Sequence, residues 1–193
     1  MKEVSSANFG LLVAYLVPGF ALLWGIRAFS ETVQSWLGTG TGAGPTVGGF
    51  LYVTIGAVGA GMLVSLVRWA VVDQVHQRTG LRHPGWDFSQ LQSKLPAFNA
   101  PVELHYRYYQ FYANMLVALS AVYLLQRLAG GLAIGLTWRD AACVGFGSLL
   151  FAGSRDALRK YYERVGRLLG IEETPEEWVS EDERPETTPV LPS

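Results

Sequence analysis

Cysteine occurs once in the 193 residues, as Cys143, and charged side chains make up only 16% of the chain. A single cysteine cannot staple a fold, so a disulfide scaffold is excluded. An excess of basic residues, the usual footprint of a nucleic-acid binder, is missing too, since the formal net charge is −1. No nucleic-acid partner is therefore expected. The chain also lacks a Gly-x-Ser-x-Gly elbow, a His-x-x-x-His pair and any paired-cysteine motif, which leaves nucleophilic catalysis and common metal sites without a signature. What it has in abundance is apolar residues, 50% of the total, far more than a disordered chain carries.

The near-neutral charge is a cancellation. Residues 1–170 hold 14 Lys/Arg against 8 Asp/Glu, whereas residues 171–193 hold one Arg against eight acids. Between the charges lie four apolar stretches to be compared with the ~20 residues that a helix needs to cross ~30 Å of hydrocarbon. They cover residues 9–26, 47–67, 108–125 and 139–154. The first contains Pro18-Gly19, tolerated in a membrane helix when neighbours satisfy the freed backbone groups. Its length, its Lys2 offset by Glu3, and the poor cleavage site at Ala28-Phe29-Ser30 favour a retained span over a signal peptide. The fourth stretch is short, with 13 residues from Ala141 to Gly153, so Trp138 and snorkelling Arg139 and Arg155 must help it across.

Charge placement supports that fourth crossing. With four spans, 12 basic residues share the side of both termini and the central loop, and three, Arg27, Arg127 and Arg139, face the other side. Without the fourth span the division becomes 6 against 9, which fits the cytoplasmic enrichment of Lys and Arg less well. The expectation is an all-α protein, a four-transmembrane-helix bundle of the bacterial inner or plasma membrane with both termini cytoplasmic. Helices two and three extend into the cytoplasm, and a disordered acidic tail follows.

Helices in lipid associate through close packing of small residues. Gly56 and Ala60, with the ridge Ala57, Gly61 and Ser65, mark the second helix as a close-approach surface, and Ala141, Gly145 and Gly153 mark the fourth. The same ridges are alternatively a homo-oligomer contact. The loop between the first two stretches, residues 27–46, contains the glycine-rich run 38–45, which lacks the lysine and the preceding strand of a phosphate loop, and it reads as a flexible external connector.

The polar chemistry concentrates in the expected cytoplasmic loop 68–107. The second helix meets no breaker before Gly80; His83-Pro84-Gly85 signals a turn, and Phe88, Leu91 and Leu95 form a short amphipathic stretch. Asn99 can cap the next helix, which runs to Gly130. At about 100° per residue, Glu103, Arg107, Gln110 and Asn114 fall within about 40° of one line. This ladder either satisfies hydrogen bonds between helices or lines the mouth of a pore or crevice. Tyr106, Tyr108, Tyr109, Phe111 and Tyr112 on the other faces read as an aromatic belt.

Asp73, His76, Glu103 and His105 are the candidates for acid–base chemistry at the interface; Asp73 and His76, three apart, share one helix face, whereas Glu103-x-His105 makes no helical ligand pair. No metal and no cofactor are expected. Residues 155–169 alternate apolar and basic positions as an amphipathic helix, which either lies on anionic headgroups or packs on the cytoplasmic helix ends. The sequence thus points to a non-enzymatic membrane component, an oligomeric pore-like effector or an accessory subunit that receives a cytoplasmic protein through residues 68–107 or 171–193. The alternative is a membrane-embedded enzyme acting on a lipid headgroup.

Overall fold

The computed structural model describes residues 6–39, 44, 46–81, 84–86, 97–99, 102–130, 135 and 137–170. All regular structure among them is helical. α1, Ser6–Ile26, keeps Pro18 inside it and runs into a 3-10 turn, Arg27–Phe29. A short helix follows where the sequence suggested only a flexible connector: α2, Glu31–Trp36, is capped by Ser30, whose Oγ accepts from the Val33 amide at 3.3 Å. Burial of Val33 beside Leu23, Ala57 and Ala60 holds α2 against the bundle, which explains why the connector is ordered there.

α3, Val47–Arg78, starts at Thr46, whose hydroxyl oxygen accepts from the Gly49 amide at 3.0 Å. It ends before Gly80, which takes the left-handed φ of 96° that a side chain resists. A π-helical turn, Val102–Tyr106, leads into α4, Arg107–Ala129. Ala97–Asn99 are already helical, so the chain turns helical before the cap expected at Asn99. α5, Trp138–Leu169, opens with a Thr137–Asp140 capping box and closes at Gly170 with φ 75°. Its apolar and basic halves form one uninterrupted helix. The amphipathic stretch around Phe88, Leu91 and Leu95, His83 and the acidic tail 171–193 lie outside the described residues.

Helix directions follow from which residues meet. Gly19 lies against Ala57 and Tyr15 against Gly61, so α1 and α3 are antiparallel. Gly10 meets Arg107 and Gly25 meets Val122, so α1 and α4 are parallel, while Gly153 against Tyr112 and Gly147 against Leu116 make α4 and α5 antiparallel. The start of α1, the end of α3, the start of α4 and the end of α5 therefore share one end of the molecule.

Small residues turn inward and large ones outward. On α3, Ala57, Ala60, Gly61 and Val64 are buried, while Phe50, Ile55, Met62, Leu63 and Leu66 are exposed. This inverts the soluble-protein pattern and suits a surface solvated by lipid. The closest backbone approach is between α1 and α3, since a Cβ on Gly19 would stand 1.8 Å from the Ala57 carbonyl oxygen and one on Gly61 2.1 Å from that of Tyr15. Gly56 faces Leu23 and Trp36. Gly145, expected on a packing ridge, has open space around it; Gly147 and Gly153 supply the contacts to α4 instead.

Among the described residues, three helices are long and apolar enough to cross a membrane: Leu12–Phe29, Val47–Arg78 and Ala97–Ala129. Four were expected. α5 is 32 residues long, but its uncharged run between Asp140 and Arg155 has 14 residues. That is about 21 Å of helix, against ~30 Å of hydrocarbon.

Candidate functional site

A second core lies at the shared helix ends, where Val72, Tyr109, Ala113, Ala157 and Leu158 are buried together. Trp86 packs edge-on to Tyr161 and Tyr162, and Tyr106 lies 5.1 Å from Tyr161. Unlike the lipid-facing half, this region has large apolar residues inside, as in a soluble domain. Burial here pushes the Tyr162 phenol up to about 12.

The buried face of α3 repeats every four residues, at Val64, Arg68, Val72 and His76, so Arg68 and His76 carry polar groups inside. Asp73 accepts a hydrogen bond from the Tyr109 hydroxyl and stands 3.9 Å from Arg68 Nε. The Arg68 guanidinium lies 5.3 Å from the Tyr109 ring centre. His76 is wholly enclosed, stacked on Phe151 at 4.9 Å, with Nε2 3.1 Å from Ser154 Oγ. Ser154 donates its own proton to the Phe151 carbonyl at 2.8 Å, so its oxygen must accept from His76 Nε2–H. The other ring nitrogen, Nδ1, is buried without a hydrogen-bond partner. Arg155 then clasps α3 by donating to the Thr79 carbonyl at 2.7 Å and the Thr79 hydroxyl at 2.6 Å.

The structure thus brings Asp73 and His76 into one junction of α3, α4 and α5. His105 is buried in the turn before α4, with Nε2 lacking a hydrogen-bond partner. Glu103 lies in the same turn. No group of three or more metal-ligating side chains occurs among the described residues. Chemically, the junction ties α3 to α4 through Asp73–Tyr109 and to α5 through His76–Ser154, with the serine oxygen committed on both sides, while Arg68 Nε and Nη1 and His76 Nδ1 are buried without hydrogen-bond partners.

The lower ladder faces α1. Arg107 lies against Gly10, Gln110 is buried, and Asn114 Nδ2 donates to the Ala14 carbonyl at 2.9 Å. Arg107 and Asn114 of the ladder thus pack on α1 within the same chain.

A further cluster went unnoticed in the sequence. At the opposite end, Asp140 accepts from the Tyr123 hydroxyl and from both the amide and the hydroxyl of Thr137. Its Oδ1 pairs with Arg127 at 2.8 Å, and Arg127 also donates to the Tyr123 oxygen at 3.1 Å. Two local signals were available: Tyr123 and Arg127 are one helical turn apart, and Thr137-x-x-Asp140 has the spacing of a capping box. Beside this cluster, α4 and α5 enclose an apolar groove of about 310 Å³. No protein-family model matches the chain, and no curated protein or solved structure matches it.

Proposed function

We propose that the protein is a non-enzymatic accessory component of a bacterial inner or plasma membrane, anchored by four spans, with a three-helix head that receives a protein partner on the cytoplasmic side. One observation carries this reading: α3 and α5 outrun their apolar segments at the same end, where the π-helical turn Val102–Tyr106 precedes α4, and they lock there through Arg155–Thr79 and His76–Ser154. At ~1.5 Å per residue, 32-residue α3 and α5 are each about 48 Å long, well beyond a ~30 Å hydrocarbon layer. The head bears exposed basic side chains on α5, including Arg164 and Arg167, which suit an acidic protein surface.

Two features support the fourth span. Val144, Phe146 and Leu149 of α5 are exposed in the manner of the lipid-facing side of α3. Tyr52 and Trp69 rim α3 and stand 17 positions apart, about 26 Å, and Trp138 and Arg155 on α5 have the same separation. A pore within one protomer is disfavoured by the engagement of Asn114 with α1. Headgroup catalysis is disfavoured by the enclosure of His76 and Ser154, since a reacting group must reach its substrate.

Photocrosslinking in native membranes tests the reading. A photoreactive residue at Arg164 or Arg167 should yield a discrete protein adduct, and one at Phe146 should yield none. Absence of an adduct at both head positions would refute the accessory role, and ion flux from reconstituted liposomes would return the pore reading.

A further inference from the structure

We infer that the groove between α4 and α5 is a lipid site, taking an acyl chain of a glycerophospholipid whose anionic, phosphate-bearing headgroup rests on Arg139. The inference rests on the reading of α5 as a span. Because the two helices are antiparallel, the groove has a polarity. Leu116, Gly147 and Leu150 line one end, whereas Gln126, Trp138 and Arg139 line the other. A phospholipid has the same gradient, apolar along its tail and charged at its head.

Charge at the mouth selects the headgroup. The Asp140 carboxylate is already engaged by Arg127, Tyr123 and Thr137, so Asp140 and Arg127 cancel. Arg139 next to them is exposed and has no ion-pair partner among the described residues. It leaves the mouth with a net positive charge and a planar fork suited to a phosphate. The short uncharged run of α5 draws this guanidinium to the hydrocarbon boundary, the depth of lipid phosphates. Trp138, 78% exposed, stands at the rim where indoles favour the interface. A second protein helix fits less well. Close helix approach requires an unbroken row of small residues, and the walls here set bulky Phe146, Leu150 and Leu116 among Ser120, Ala142 and Gly147.

Cys143 lines the groove and is the only cysteine, so the natural chain carries its own probe. Delipidated full-length protein in detergent is treated with a maleimide while phosphatidylglycerol or phosphatidylcholine of matched chains is titrated in. Phosphatidylglycerol should protect Cys143 at about fivefold lower concentration than phosphatidylcholine, the preference one arginine supplies near a charged headgroup. Arg139→Gln should elute as the wild type and protect equally with both lipids, and Gly147→Phe should lose protection by either. Retained preference in Arg139→Gln would overturn the inference, as would equal protection of the wild type by both lipids. Efficient Cys143-to-Cys143 coupling by a bismaleimide would assign the groove to a second copy. Failure of the underlying reading is separable, because labelling positions 135 and 170 from the same side of the membrane would refute the fourth span regardless of lipid preference.

Discussion

Asn114 donates its side-chain amide to the carbonyl of Ala14, the acceptor that Pro18 leaves without a helical partner. In an α-helix that carbonyl would receive the amide proton of residue 18, which proline does not have. A side chain on α4 thus repairs a backbone defect on α1, in a layer with no water to do so. The ladder position that sequence spacing left between interhelical hydrogen bonding and a pore mouth here bonds two helices to one another.

This pairing predicts coupling. Asn114→Leu should lower stability by about 1 kcal/mol, within the range measured for hydrogen bonds between membrane helices. In a Pro18→Ala background residue 18 regains its amide proton, and the same change should cost measurably less. Thermal unfolding in detergent across the four-member cycle checks it; equal costs in both backgrounds would refute the repair.

The crossing of α1 and α3 predicts a sharp contrast between glycines. Gly19→Ala drives a Cβ to 1.8 Å from a backbone oxygen, and the helices must separate. A loss of about 1–3 kcal/mol or more is expected, seen as lowered Tm and a broadened elution profile. Gly59→Ala meets nothing within 4 Å and should be neutral or slightly stabilising through helix propensity.

The clasp between α3 and α5 should behave as a unit. Ser154→Ala leaves His76 Nε2–H buried without an acceptor, which should cost about 1–3 kcal/mol. Replacing both partners, with His76→Leu added, should recover part of that loss, because no polar hydrogen is then stranded. A double variant as unstable as the sum of the singles would show that the two residues do not act together.

Alkaline pH should loosen the head before the spans. The folded state raises the Tyr162 phenol to about 12, so its contribution is complete below the ordinary tyrosine value of about 10 and declines as pH rises between the two. Melting temperature measured across that window should fall in the wild type, and the fall should be shallower in Tyr162→Phe.

Periodicity and composition made much of the helical layout legible. The ends at Gly80, Ala129 and Gly170 follow from local backbone chemistry, and three of the expected spans coincide with helices fit to cross a membrane. α2 was hidden because its anchors lie on other helices: Val33 meets Ala57 and Ala60, and Trp36 stacks on Tyr52. Gly145 looked like a packing residue because small-residue spacing names every face that can approach a neighbour, and not the face that does.

By itself, then, the sequence determined the long helices and their apolar lengths, since each depends on residues within a turn or two of one another. Only the tertiary structure decided the partnerships: Asn114 with the carbonyl freed by Pro18, His76 with Ser154, and Tyr123 with Asp140. Those bonds join helices up to 100 positions apart. A buried polar group must find some partner, but which one it finds depends on how small residues let the helices approach.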